Sequence, residues 1–310
     1  MKLIILNAKN RYRPQDLKRL EDAGATFYEQ KGNKLQDIKE MYEGEDFVLG
    51  VQPGRVEGDW EGLPWEKVKE LKNLKGLCLS TTAYGWVPFK ELGEIGVPVT
   101  NVPGKSTDAV GEYYVFMMTA LLRKLPYVIK NNWTHAYEPE VLGTDAKRLT
   151  VGIIGLGQIG RKIADLCSGY GMNVIYWSRN KKECPYKYEE IDEVCKESDV
   201  LFITTIADDS TANLINKVRI DSMKKSVIIL SPVDTKVYDK PYVLEKVSNN
   251  ELGGFGFESD SEKIADFKGN VFPAPEIGYY TQQTLDKESQ IMTDSILSIL
   301  QGKPVNVVNL

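Results

Sequence analysis

TVGIIGLGQIGRKIA (150–164) decides how the rest of the chain is read. A β-prone run, TVGII, enters a Gly-x-Gly-x-x-Gly turn, GLGQIG (155–160), and leaves it as the amphipathic stretch QIGRKIADLCSGYG. A second apolar run, NVIYWS (173–178), follows. The glycine triplet alone is a weak signal, since glycines recur in many turns. Between a strand and a helix each glycine has a physical task. Gly155 makes the tight turn, Gly157 lets a pyrophosphate approach the backbone, and Gly160 lets helix and strand pack closely. The helix then opens at Gln158 and Ile159 with unpaired N–H groups and a positive dipole end turned to the phosphates. The stretch predicts a dinucleotide site.

The same alternation extends in both directions. Before it lie the apolar runs LIIL (3–6), DFVLGV (46–51), GLCLS (76–80) and VPVTNV (97–102); after it come DVLFIT (199–204), SVIIL (226–230) and GGFGF (253–257). Helical patterns separate them, such as PQDLKRLEDAG, with Leu17 and Leu20 on one face and Gly24 as a stop. Continuous apolar strands alternating with helices predict parallel sheets covered on both faces. The stretch TDAVGEYYVFMMTALLRKL (107–125) is apolar on nearly every side, which fits burial between layers and also a contact with a second copy of the chain.

Bulk properties exclude several classes. The 310 residues are 42% apolar and 27% charged with a net charge of -5, and no block of like charge suggests a nucleic-acid arm or a membrane patch. MKLIILNAKN has too short an apolar run for a signal peptide and reads as a first strand, so a cytoplasmic protein is expected. No window approaches the ~18 apolar residues of a membrane span. Cys78, Cys167, Cys184 and Cys195 show no CxxC spacing, and with the single histidine, His135, they predict no metal site.

The end of the second nucleotide-domain strand bears on which dinucleotide binds. An NAD site presents an acidic residue there, ~20 residues past the glycines, to the adenosine ribose. Here Ser178 is followed by Arg179, Asn180, Lys181 and Lys182. A hydroxyl and flanking cations suit a 2′-phosphate, so NADP(H) is favoured over NAD(H).

NVPGKSTDAVGE (101–112), TVGIIGLGQIGRKIA and SDVLFITTIADDSTANLINKVRIDSMKKSVIIL (198–230) together resemble the D-isomer-specific 2-hydroxyacid dehydrogenases over nearly the whole chain, and STTAYGW (80–86) is similar to their substrate-domain segment. The resemblance implies an α/β fold of two Rossmann-like domains with doubly wound parallel sheets. A nucleotide domain, 104–282, would be inserted into a flavodoxin-like substrate domain, 1–103 plus 283–310. It also implies a homodimer through helix 107–125, Glu258 in place of the aspartate that holds the nicotinamide amide, and Thr205 on the cofactor.

The resemblance departs from the family at the chemistry. The family reduces 2-oxo acids by hydride transfer, with an arginine on the substrate carboxylate and a glutamate-oriented histidine as proton donor. In LSPVDTKVYD (230–239) the arginine's position reads as Asp234, and in VFPAPEIGYYT (271–281) the histidine's position reads as Glu276. Either Glu262 or Lys263 falls where the orienting glutamate belongs. An aspartate would repel a carboxylate substrate where arginine would bind it, and losing a general acid costs typically ~10²–10⁴-fold in rate. Two nearby carboxylates resist joint ionisation, so one can keep a proton and act as an acid, or both can face a cation.

Further candidates are positional. Gln52 and Ser80 stand at strand exits of the outer domain, and Tyr84, Trp86, Tyr279 and Tyr280 are placed to make the substrate site aromatic. His135 lies in a connecting segment. Three readings follow: an NADP(H)-dependent oxidoreductase with a rewired site acting on a carbonyl or imine; a non-catalytic NADP(H)-binding sensor; and an ordinary 2-oxo acid reductase in which Lys236 or Lys263 replaces the arginine.

Overall fold

The computed structural model describes residues 1–310 except Ala136 and Asp234. The chain forms two compact units: Met1–Lys105 together with Thr281–Leu310, and Ser106–Tyr280.

In the first unit β1 (Lys2–Leu6), β2 (Ala25–Phe27), β3 (Phe47–Val51), β4 (Leu74–Leu79) and β5 (Val99–Thr100) form one parallel sheet in the order β2-β1-β3-β4-β5. Helices α1 (Pro14–Asp22), α2 (Trp65–Val68) and α3 (Phe89–Glu94) come from the N-terminal part. β5 is shorter than its apolar run predicts: Pro98 carries no N–H for the ladder, and Asn101 turns its side-chain amide to the Thr82 carbonyl at 2.7 Å.

The second unit begins with α4 (Thr107–Leu122) and α5 (Leu125–Lys130). The predicted single helix over 107–125 is broken because Lys124 adopts φ 56 and Pro126 follows as the second residue of α5. Then come β6 (Thr150–Ile154), α6 (Gln158–Gly169), β7 (Asn173–Trp177), β8 (Lys187–Tyr188), α7 (Ile191–Glu197), β9 (Val200–Ile203), α8 (Lys217–Ser222), β10 (Ile228–Ser231), α9 (Lys240–Ser248), β11 (Gly254–Glu258) and β12 (Val271–Ala274). All seven strands pair in parallel, in the order β12-β11-β10-β9-β6-β7-β8. One buried cluster (Tyr114, Met117, Ile153, Tyr176, Phe202) and a second (Ile154, Leu201, Ile229, Phe255) fill the core of this unit.

The chain returns to the first unit as α10 (Gln282–Leu300), which packs on β3 and β4. It can approach that closely because β4 carries Gly76: a Cβ there would stand 2.5 Å from Ile299 Cδ1. Among the described residues no helix is long and apolar enough to cross a membrane.

Candidate active site

In a parallel sheet all strand C-termini share one edge, and ligands bind there where the strand order reverses. In the second unit that reversal falls between β6 and β9, since the chain runs from β6 outward through β7 and β8 before returning. Two cavities open along this edge. One, of about 290 Å³, is walled by Gly155, Leu156, Gly157, Ser178, Arg179, Asn180, Lys182, Thr204, Thr205 and Ile206. The other, of about 410 Å³, lies at the ends of β10, β11 and β12.

The first cavity fits a dinucleotide on steric grounds. Gly155 has φ +100, and a Cβ on it would come within 2.6 Å of the Thr205 backbone. Gly160 is buried beneath the turn, where a Cβ would stand 2.3 Å from the Gly155 carbonyl oxygen and 2.7 Å from Thr204 Oγ1. Gly157 is different, because a Cβ there would meet nothing within 4 Å. Its open side is the face a phosphate needs, at the N-cap of the 12-residue α6. Gln158 is exposed in the first turn of α6, Ile159 packs against the core, and neither side chain forms the wall.

At the far end of this cavity the geometry departs from the sequence reading. The Ser178 hydroxyl donates to the Asn180 carbonyl at 2.6 Å, so its one hydrogen shapes the turn. Lys182, not Lys181, stands on the wall. The ring hydroxyl of buried Tyr176 accepts from the Lys182 N–H at 2.9 Å and draws that residue inward. Arg179 contributes charge but is shared: Nη1 donates to Ser210 Oγ at 3.2 Å, and Nη2 lies 3.5 Å from Asp208 Oδ2.

The second cavity is walled by Tyr114, Ser231, Pro232, Val233, Thr235, Tyr238, Lys240, Phe257, Glu258 and Glu276. Glu258 ends β11, and its Oε1 accepts from the Gly278 N–H at 2.9 Å. Burial pushes the Glu258 carboxyl above the ordinary carboxylate range; the Gly278 N–H opposes this, while Glu276 and Asp260 add to the rise. Glu276 is exposed past β12, and its backbone N–H donates to Asp260 Oδ1 at 2.9 Å. Asp234 lies outside the described residues; its neighbours Val233 and Thr235 are on the wall.

Lys240, which its sequence context does not single out, brings a cation to the described part of this wall. Lys240 opens α9, where Asp239 caps the helix by accepting from the Tyr242 N–H at 3.0 Å. Lys240 Nζ donates to Glu262 Oε2 at 2.6 Å and sits 3.9 Å from the centroid of the Phe257 ring. Glu262 is thereby joined to the wall through Lys240. Lys263 is exposed, caps the short turn Ile264–Asp266 by donating its N–H to Asp266 at 2.7 Å, and is not on the wall; Lys236 is not on it either.

Residues 115–268 match the family model described as "D-isomer specific 2-hydroxyacid dehydrogenase, NAD binding domain". An aromatic 2-oxoacid reductase of Clostridium sporogenes is 27% identical over 253 residues, covering 73% of this chain and 75% of the relative. A glyoxylate reductase of Pyrococcus horikoshii is 28% identical over 270 residues, 80% of each chain. Residues 115–268 thus form a D-isomer-specific 2-hydroxyacid dehydrogenase NAD-binding domain. The chain is an NAD(P)-dependent oxidoreductase.

Solved structures extend the dehydrogenase-family likeness to the whole fold. A glyoxylate reductase of Paecilomyes thermophila superposes with a TM-score of 0.84 at 20% identity, covering 99% of this chain and 98% of the other. An acyclic imino acid reductase, Bsp5, in complex with NADPH and D-Arg, superposes with a TM-score of 0.83 at 21% identity, covering 99% and 100%.

In the first unit Gln52 follows β3 and is half-buried, while Ser80 follows β4, is buried, and accepts from Lys105 Nζ on its carbonyl at 2.7 Å. Tyr84 meets Phe89 edge-on at 5.1 Å, and Trp86 Nε1 donates to Thr81 Oγ1 and the Ala83 carbonyl, each at 3.0 Å. In the second unit Tyr279 packs edge-on against Tyr280 at 6.0 Å and is not on the cavity wall. His135 is exposed beside Tyr137 in the connection between α5 and β6.

Proposed function

We propose that this chain reduces a carbonyl or imine substrate at the second cavity, with NADPH favoured as reductant. The observation that carries this reading is the make-up of the wall. Among the described residues its ionisable groups are Glu258, Glu276 and the Glu262-bound Lys240, together with the phenols of Tyr114 and Tyr238, while the only histidine of the chain stands elsewhere. When bound, the reduced nicotinamide supplies a hydride.

Every other part belongs to the chain. The glycine turn and the first N–H groups of α6 would hold the pyrophosphate. Arg179 and Lys182 present positive charge at the adenosine end, where a 2′-phosphate would gain charge-assisted hydrogen bonds. Glu258, with its proton affinity raised, can donate a hydrogen bond to an amide or hold a proton within the cavity. Glu276 and Asp234 are the carboxylates proposed to meet the reacting end of the substrate.

A second reading, reduction of an ordinary 2-oxo acid, is favoured by one specific feature: the wall does hold a cation, Lys240. The relatives named as 2-oxoacid and glyoxylate reductases point the same way. The test is oxidation of NADPH and of NADH, followed by absorbance, against small 2-oxo acids and against preformed imines. Turnover on imines that is lost in Glu276→Gln supports the rewired site. Oxo-acid turnover indifferent to Glu276→Gln favours the second reading. Tight NADPH binding with no turnover on either panel would overturn both.

We also propose a homodimer through α4. Phe116 of that helix is 50% exposed and stacks with Tyr113 at 6.3 Å, which leaves an aromatic face open. Light scattering of wild type and Phe116→Glu tests this, with loss of the dimer expected in the variant.

A further inference from the structure

The charges on the wall of the second cavity discriminate among carbonyl and imine substrates. Glu258 and Glu276 share one wall with Lys240, whose ammonium is oriented by Glu262 and seated on the Phe257 ring. A plain oxo acid offers only negative charge and would meet two carboxylates for one cation. An uncharged ketone would use none of the three. A zwitterion with its two charges close together uses all of them.

The proton count gives a second, independent constraint. Reduction of a carbonyl ends on an alkoxide, which needs a proton from the protein, and a histidine ordinarily provides it. The single histidine of this chain, His135, is exposed in the segment between α5 and β6 and is not on the wall, so a carbonyl would have to draw its proton from Glu258 or from the phenols of Tyr114 and Tyr238. An iminium already carries its proton. A hydride adds to the iminium carbon, the C=N π pair settles on nitrogen as a lone pair, and a neutral amine forms with no proton drawn from the enzyme. The reductant is the reduced nicotinamide dinucleotide, which leaves oxidised.

From these two constraints we infer that the substrate is a 2-imino acid in its iminium form, anchored through its carboxylate by Lys240 and facing the Glu258–Glu276 carboxyls with its cationic end. Lys240 is then a substrate-binding residue, and Glu262 a positioning residue that holds the ammonium over Phe257. An ammonium has three donors, so the bond to Glu262 leaves hydrogens for a substrate oxygen. Seating on an aromatic face also keeps the charge from swinging into solvent. The inference rests on the reductase reading but can fail without it.

The test supplies a small 2-oxo acid with NADPH, alone and with methylamine, at a pH where the imine forms. The N-methyl amino acid is then sought by mass spectrometry. Amine-dependent turnover is the expected result. Turnover that proceeds equally without amine would overturn the imino acid assignment while leaving the reductase reading intact. Absence of any reductive turnover, on these or on uncharged imines, would overturn the reductase reading itself.

Lys240→Met and Lys240→Arg separate the anchor from the chemistry. The Met variant should raise KM for the acid-bearing imine by about tenfold or more, the scale of losing one charge-assisted contact, and should give no such rise for a cyclic imine that lacks a carboxylate. The Arg variant should recover most of the loss. Calorimetric titration of the N-methyl amino acid product into wild type and Lys240→Met gives a readout free of turnover, with NADPH affinity as the check on folding. Equal product affinity in the two proteins, or equal KM for both imines, would overturn the anchor.

Discussion

Ser289 Oγ donates to Asp16 Oδ2 at 2.7 Å, fastening the first helix of the chain to the last. The two residues lie 273 positions apart, and the bond helps close the first unit although the second unit is inserted between them. Asp16 is only 1% exposed, and Arg13 Nε donates to the same oxygen at 2.6 Å. Burial raises the Asp16 pKa, but the hydrogen bonds from Arg13 and Ser289 and the charge of Arg19 outweigh it and hold the carboxyl below the ordinary range. Asp16→Asn should therefore cost about 2 kcal/mol of stability near neutral pH and Ser289→Ala about 1 kcal/mol. Because the folded pKa is depressed, this stabilisation is full above the unfolded value of ~3.9 and is lost as pH falls through the folded one. Urea unfolding of wild type and Asp16→Asn should give curves that converge in acid; a gap that persists there would refute the linkage.

The glycine turn offers two variants that look alike in sequence and should behave in opposite ways. Gly160→Ala places a Cβ 2.3 Å from the Gly155 carbonyl oxygen, so the fold must shift and stability should fall by about 1–3 kcal/mol. Gly157→Ala meets nothing within 4 Å, and φ -78 is open to any residue, so the protein should fold with unchanged stability. The new methyl would nevertheless stand where the pyrophosphate approaches. Calorimetric unfolding with NADPH titration separates the two: Gly157→Ala should keep its melting temperature and lose cofactor affinity. Retained affinity in Gly157→Ala would remove Gly157 from the site.

Much of this architecture is legible in the chain because it rests on local pattern. The strand, glycine turn and helix at 150–164 appear with the boundaries their composition implies, and Gly24 stops α1 with φ +80. What stays hidden depends on contacts across the fold. Lys240 reads as a charged residue opening a helix, and nothing local announces that its ammonium meets Glu262 22 positions later. That meeting requires β11 to lie beside β10 and the chain after β11 to turn back over the end of the sheet. Lys181 and Lys182 are likewise equivalent as letters. The bond between Tyr176 and the Lys182 backbone is what sets one on the cavity wall and the other off it. The break after Leu122 turns on a single left-handed residue, Lys124, which an apolar run does not reveal.

Glu258 provides a pH test of the second cavity. Its folded pKa is raised by burial, opposed by the Gly278 N–H, and raised further by Glu276 and Asp260. Between the ordinary carboxylate value of ~4.3 and the raised one, the folded state binds more protons than the unfolded. Stability therefore falls as pH rises through that window. Glu258→Gln removes the titration and keeps an oxygen for the Gly278 N–H, so it should melt higher than wild type near neutral pH, with the difference vanishing in acid. Glu276→Gln should move the Glu258 carboxyl midpoint, read by carbon-13 NMR, to lower pH. An unmoved midpoint would mean that the two carboxyls do not sense each other.

The Arg179–Asp208 pair should set how strongly the cofactor's 2′-phosphate is rewarded. Asp208 Oδ2 lies 3.5 Å from Arg179 Nη2, and both side chains are exposed, so the pair is weak and solvent-screened. A 2′-phosphate would have to share or displace that carboxylate, whereas a ribose hydroxyl could leave it in place. Arg179→Ala should therefore raise KM for NADPH while hardly changing KM for NADH. Asp208→Asn should do the reverse, lowering KM for NADPH by up to about fivefold, the scale set by a pair of that strength. The shift should shrink with added salt, because the charges involved are solvent-screened. If Arg179→Ala raised both KM values equally, Arg179 would hold a part common to the two dinucleotides, and the preference for NADPH would have to rest on Lys182, the other cation on the same wall.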